Sequence, residues 1–462
     1  MIERWSRDQV LALAPDAASR SAAQKVAAPG KWSACGTTGT VVYGECEGSG
    51  ARPYLACVDL TEPAYRCSCP SRKFPCKHAL GLLLMWAADG LPVEQGAPQW
   101  VTEWMEARAE RAAKEAAKIE AARAKKAAEV SSGEDDGGAP GAGRSGGSSR
   151  PGAESVRHGR VAAGLGELER WLDDQVRQGL AGAAEHEWEG LAKRLIDAQA
   201  PGVAGVVSRL VRVRAQDDWP GRLLEEYALI HLLAVAYRRR AELPGALAET
   251  VLSRVGFPVA KEEVLAGPAV RDHWDVLGRR DEEQDRLTSR RVWLRGRGSG
   301  RAALVLSFAP QGQPLDASLV TGTTIEADLT YYPGAAPLRA LVAARHDRGA
   351  DDAVRGDAVQ DDAGAGRAAG GTPPGVSPEQ ALDEVAGVLG EDPWTESWPL
   401  VLAGVVPGRD SIGGLPLHRA ARDPWRLIAV SGGRPVTVAV EWTPRGLRPL
   451  TTWDDEGTAV IL

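Results

Sequence analysis

The stretch RCSCPSRKFPCKHALGLLLMW, residues 66–86, places three of the chain's six cysteines and one of its seven histidines inside twelve positions. Thiolate and imidazole in that mixture suit zinc, which takes four such ligands in a tetrahedron when its role is structural. The ligands fall into two pairs, Cys67 with Cys69 and Cys76 with His78. On an extended backbone residues i and i+2 face the same side, so the first pair can aim together from a strand end. Pro70 then stops the ladder. Pro75 disfavours helix at Phe74 and lets a helix begin around Cys76 to His78. Two residues apart on a regular helix lie about 200° apart, so Cys76 belongs to the entering loop and His78 to the first turn. The following ALGLLLMW offers apolar residues to pack on the strands. A small ββα unit is expected, with a core too slight to fold without metal.

The competing chemistries are weaker. A redox pair of thioredoxin type needs Cys-x-x-Cys at a helix N-terminus, and neither pair has that spacing. A catalytic zinc keeps one position open to water, whereas four good ligands make a closed ion. A chance cluster is the remaining alternative in a sequence so poor in Cys and His. Zn2+ is therefore the expected cofactor. Cys35, Cys46 and Cys57 recur at eleven-residue intervals in strand or turn material and read as buried or half-exposed small residues. Cys46 could approach the finger but would find no vacancy among the ligands.

The pattern Cys-x-Cys, six residues, Cys-x-His, framed by strands and followed by an apolar helix, resembles the SWIM zinc finger. It is most similar to the form carried by bacterial proteins of actinobacterial type, through APDAASR and GECEGSGARPY as well. The resemblance covers about the first 90 to 105 residues. It implies that Cys67, Cys69, Cys76 and His78 are the zinc ligands of a ββα finger that binds DNA or protein, and it implies no enzymatic activity. The loop between the ligand pairs carries Arg72, Lys73 and Lys77 beside Phe74, and Arg52 and Arg66 lie on the approach. Cations with one aromatic on a metal-braced loop could contact phosphates and stack on a base. The plainer alternative is solvated loop charges with Phe74 packed under the finger. Trp86, Trp100 and Trp104 are expected to cluster near the finger's end as core or helix-docking residues.

The rest of the 462-residue chain divides by composition. Residues 1–105 form the finger domain, with strands at Thr40–Tyr43, Tyr54–Val58 and Ala64–Cys67. Residues 106–157 read as a charged helical arm, rich in Ala, Glu, Lys and Arg, followed by a Gly/Ser linker that cannot bury enough apolar surface to order itself. Residues 158–285 show apolar residues at three-to-four spacing and read as an all-helical domain. Residues 286–462 alternate with period two and read as one β-rich domain interrupted by a low-complexity insert at 347–376, with strands at Leu400–Val406, Trp425–Ser431, Thr437–Glu441 and Val460–Leu462. The fold class is multidomain α+β: an N-terminal ββα zinc finger domain, a central all-helical domain and a C-terminal β-rich domain, joined by disordered linkers.

A net charge of −7 and a pI near 5.7 argue against a surface that coats nucleic acid or an anionic membrane throughout. Met1–Val10 lacks a basic-then-apolar signal pattern, and the longest apolar runs fall far short of a membrane span, so a cytoplasmic protein without membrane contact is expected. No Gly-x-x-x-x-Gly-Lys or His-Glu-x-x-His occurs. The remaining histidines, at 158, 186, 231, 273, 346 and 418, are scattered. No enzyme and no small-molecule substrate are expected. The expected function is a zinc-braced recognition module or adaptor whose finger binds nucleic acid, DNA or RNA, or a protein. The alternative is an assembly scaffold in which zinc is only structural, and a hydrolase or transferase hidden beyond the finger is the third reading.

Overall fold

A computed structural model describes residues 4–48, 52–131, 151–182, 184–284, 287–310, 313, 315–346, 371–421 and 424–462. The chain opens with two helices, α1 (Arg7–Ala12) and α2 (Ala17–Val26). Each starts on a side-chain cap that the sequence spells out. Gln9 N–H donates to Ser6 Oγ while Ser6 N–H donates to Gln9 Oε1, and Ser19 N–H donates to Asp16 Oδ1. Four strands follow, β1 (Trp32–Thr37), β2 (Val41–Cys46), β3 (Tyr54–Asp59) and β4 (Ala64–Cys67), paired antiparallel in that order.

Strand alternation sorts the sheet's side chains between two covered faces. Val42, Ala56 and Val58 point into a core with α3 (Lys77–Ala87), while Val41, Tyr43 and Cys57 point the other way, under the start of α4 (Gln99–Ser131). The expected ββα unit is thus present as β3, β4 and α3 but sits inside a larger sheet. Its core is also larger than expected, because Trp5, Val10 and Leu13 join from the N-terminus and Val320 from far along the chain. A core that depends on metal alone for its bulk is not what forms. Trp86 packs edge-on against Trp5 at 5.6 Å, whereas Trp100 and Trp104 cover the opposite face, so the three tryptophans do not form one cluster. Beyond Met105 the described side chains of α4 are exposed, apart from half-buried Arg108, as its charge pattern predicts.

Part of the linker expected after residue 131, and most of the expected insert at 347–376, lie outside the described residues. Residues 151–156 of that linker already belong to α5 (Pro151–Gln178). With α6 (Glu185–Asp197), α7 (Pro201–Arg214), α8 (Trp219–Arg238) and α9 (Gly245–Val255) it forms a bundle around Leu168, Trp188, Leu191, Leu210 and Tyr237. Inside it, Trp188 Nε1–H donates to Tyr227 Oη at 3.1 Å. A short α10 (Lys261–Leu265) leads out.

The helical segment expected to run to 285 ends earlier. Residues from 269 form β5 (Ala269–Gln284), a strand disguised by its charges and by a register shift between Val276 and Gly278 that breaks the period-two pattern. It joins β6 (Leu287–Gly296), β7 (Ala302–Pro310), β8 (Thr324–Tyr331) and β9 (Arg339–Arg345) in a closed barrel of order β5-β6-β7-β9-β8, with β7 and β9 parallel. Trp274, Val276, Leu294, Ala327 and Leu329 fill it. After α11 (Pro378–Glu391) comes a separate sheet. Its strands are β10 (Trp398–Val405), β13 (Val436–Trp442), β14 (Arg448–Trp453) and β15 (Ala459–Ile461), with a small hairpin of β11 (Ser411–Ile412) and β12 (Leu415–Pro416). Trp425–Ser431, expected as a strand, is helix α12 (Pro424–Ser431), with Leu427 and Ser431 buried one turn apart. An apolar run this short fits either period, and Pro at the first helical position tips it to helix.

The expected single β-rich unit is therefore a barrel and a sheet packed together. Leu277, Trp293 and Leu304 on the barrel meet Val401, Ala439, Leu450 and Trp453 on the sheet. A Cβ at Gly278 would stand 2.6 Å from the Leu450 Cβ, closer than real contacts allow. Gly278→Val is expected to destabilise the chain by about 1–3 kcal/mol through overpacking of this interface. Urea unfolding checks it, and an unchanged midpoint would show that the barrel and sheet do not pack this closely.

Candidate metal centre

The first ligand pair is set by the end of β4. Cys67 is its last residue, held in register opposite Ala56, and Cys69 lies two residues on. Ser68 between them is clamped to β3: its backbone N–H donates to Leu55 O at 3.0 Å, and its hydroxyl accepts from Leu55 N–H at 2.9 Å. Cys76 is the N-cap of α3 with extended backbone, and His78 is the second helical residue, so the pair converges at the helix start as the Pro75 argument requires.

The four donor atoms lie within 4.8 Å of one another, and Cys67 Sγ is 3.7 Å from His78 Nδ1. Tetrahedral zinc with arms of about 2.3 Å to sulfur and about 2.1 Å to nitrogen would set those two atoms about 3.6 Å apart. The donor set and its span fit zinc, with Nδ1 as the imidazole ligand. Cys76 and His78 are buried, Cys67 and Cys69 half-buried. The His78 ring lies against Tyr54 at 4.9 Å between centroids, which fixes its plane. Tyr54 was not legible as part of the site from the ligand spacing; its only signal is its place in GECEGSGARPY.

Without a cation the thiols compete for one charge. The hydrogen bond from Cys67, with help from His78 and the Ala79 N–H at the helix start, pulls the Cys76 thiol down, against burial. The same hydrogen bond pushes Cys67 up, and burial pushes Cys69 up. Cys76 is the first thiolate, and a bound ion must displace protons from the other two. Cys46, buried and raised by burial, stays outside the cluster and turns its thiol to Glu47 O at 3.7 Å. Among the described residues these four form the one group of metal-ligating side chains close enough to hold an ion. His158, by contrast, is bonded to Tyr237 Oη at 2.7 Å and stacked on Phe257 within the bundle.

The four loop residues singled out for contact separate into two kinds. Lys73 Nζ is paired with Asp16 Oδ2 at 2.5 Å, tying the loop to the cap of α2. That hydrogen bond, with the one from Ser19 N–H, holds the Asp16 carboxyl down at about 2. The tie is thus complete above the ordinary carboxylate range and lost only as pH falls through about 2. Phe74 is half-buried and lines a cleft of about 350 Å³ against the barrel, facing Tyr65, Arg108, Ala317 and Arg345. Arg72 and Lys77 are exposed and make no ion pair among the described residues. On the other side of the loop a groove of about 420 Å³ runs between it and α2, past Ala18, Ala22, Tyr54, Pro70, Lys73 and Lys77. Asp16 and the α2 residues were missed in the sequence, although Asp16 to Ser19 carries a legible cap signal.

A closed Cys3His centre between a strand end and a helix start is a structural metal centre of zinc-finger type. Residues 57–87 match the SWIM zinc finger family, and residues 156–255 match the SWIM-associated four-helix bundle domain. The chain carries both, the finger at the metal centre and the bundle in α5 to α9. No curated protein and no solved structure matches the chain. Among the described residues no helix is long and apolar enough to cross a membrane.

Purified chain is expected to hold about one zinc by elemental analysis, and Cys76→Ala to hold almost none. Acidification should release the metal, because protons compete for the thiolates. Hydrogen exchange of metal-free chain is expected to speed up through 67–84 and stay unchanged in the bundle core at 161–210. Equal protection of 67–84 with and without metal would show that zinc does not brace the finger.

Proposed function

We propose that the chain is a non-enzymatic recognition adaptor in which zinc holds the finger loop rigid beside α2 and the groove between them receives a protein partner. The groove carries this reading. Ala18, Ala22, Tyr54 and Pro70 give it apolar walls, Ser19 and Ser71 lie among them, and it runs up to the ligands Cys69 and His78; Lys73 and Lys77 are its exposed cations, and no carboxylate lines it. Its volume, about 420 Å³, suits one or two inserted side chains. Two of the residues first considered for nucleic-acid contact have partners within the chain, Lys73 in a surface pair with Asp16 and Phe74 in the cleft against the barrel. Tyr54 already lies against the His78 ring, tilted at 33°, which leaves less aromatic surface for a base. A reducing, cytoplasmic setting is consistent with six free cysteines.

A second reading has its own observation. Arg72 and Lys77 are exposed cations without ion-pair partners among the described residues, and such residues meet phosphates.

The readings separate on full-length, zinc-loaded protein. Ala22→Arg is expected to fill the groove, keep the zinc and abolish capture of a partner that wild type retains from native extract and that binds again when purified. Arg72→Ala, at a residue outside the groove, is expected to leave that capture intact. A partner held equally well by Ala22→Arg would sink the groove reading. Salt-dependent binding of an oligonucleotide, lost when Arg72→Ala is combined with Lys77→Ala, would establish the second reading in its place.

A further inference from the structure

Helix α8 does not behave like a bundle helix with one apolar side. Its buried stripe is Leu223, Tyr227, Ile230, Leu233, Ala234 and Tyr237. The opposite face is also apolar: Leu224 and Leu232 are 50% and 42% exposed, and Gly221, Ala228 and Val235 recur between them at seven-residue spacing. A helix with apolar residues on both faces is ordinarily covered on both. Here Ala228 is exposed, and a Cβ on Gly221 would meet nothing within 4 Å. One flank of this face is closed by α5, where Arg238 pairs with Glu169, and the other by Trp394, whose Nε1–H donates to Leu229 O. The stripe between them is uncovered among the described residues.

We propose that this face joins two copies of the chain, α8 lying antiparallel on α8 of the other copy across a two-fold axis at Ala228. The argument is that the stripe is complementary to itself. Turned about Ala228, Leu224 falls opposite Leu232 and Gly221 opposite Val235, while Ala228 meets its own counterpart, small enough for close backbone approach. At the edges Glu225 falls opposite His231, and Asp217 and Asp218 fall opposite Arg239 and Arg238, exposed charges that within one copy pair with Arg419, Arg222, Glu242 and Glu169 and would exchange those pairs across the contact. Antiparallel helices also set their dipoles in opposition, which favours the pair. A two-fold contact sets each residue of this face opposite another of the same face, so the face must be complementary to itself, as Leu224 with Leu232 about Ala228 is. The surface lies on the bundle and is independent of the finger groove.

One helix pair is a small interface, near or below about 1,200 Å², so a dimer with a dissociation constant in the micromolar range is expected. Sedimentation of the full chain from about 1 to about 100 µM should show it. Leu224→Glu with Leu232→Glu should weaken it at least tenfold, with zinc content and helicity unchanged. Glu225→Lys should weaken it, and adding His231→Glu should restore it, a recovery that loss of folding cannot imitate. Under mild oxidation Ala228→Cys should form a covalent dimer, while wild type and Arg212→Cys should not. A chain monomeric at about 100 µM, a dimer indifferent to Leu224→Glu and Leu232→Glu, or a dimer that Ala228→Cys does not cross-link would each overturn the proposal.

Discussion

Four donors converge on one point only if the end of β4 and the start of α3 are held at a fixed separation, and the N-terminal unit is built to hold them there. Ser68 is stapled to β3 on one side, and α3 is buried between the sheet and α1 and α2 on the other. A metal ion adds the missing bond between these two anchored ends. Without it, one buried thiolate would face two thiols that resist ionising. The position of the loop, and hence of the groove beside α2, follows from that clamp.

The clamp is not free-standing. Gln9 donates to Thr321 O at 3.1 Å, Arg279 to Ala12 O, and Tyr65 to Ala317 O, so α1 and β4 are docked on the barrel. Arg426 reaches Asp8 from the C-terminal unit. Arg254 pairs with Asp392 at 2.8 Å and Trp394 donates to Leu229 O, tying the bundle to the segment that precedes the last sheet. These are contacts between folded units, and two such contacts, Arg279 to Ala12 O and Arg280 to Pro449 O, use arginine as a donor to a backbone carbonyl.

The metal centre was almost wholly legible in sequence, because ligand identity, spacing and two prolines leave few geometries open. The bundle was legible because its apolar stripes repeat over whole helices. What failed were short or disguised elements. β5 carries Arg279, Arg280, Asp281 and Glu282 in succession and a bulge, so neither period shows; α12 is one apolar run that fits both. The second face of the N-terminal sheet and the groove beside the zinc could not be read at all, since they are made by residues distant in sequence. The caps at Ser6 and Asp16 were readable signals for two helices that local composition did not suggest.

Val320 has a consequence for how the molecule is made. It completes the apolar core under α3, yet it is synthesised some three hundred residues after Trp5, with the arm, the bundle and half the barrel in between. At about 5–20 residues per second a ribosome needs on the order of tens of seconds to cover that distance. Through that interval the nascent finger region carries an open apolar patch where the barrel will seat. Early metal capture would hold β4 and α3 together while the patch waits, giving zinc a part in the timing of assembly as well as in the finished fold.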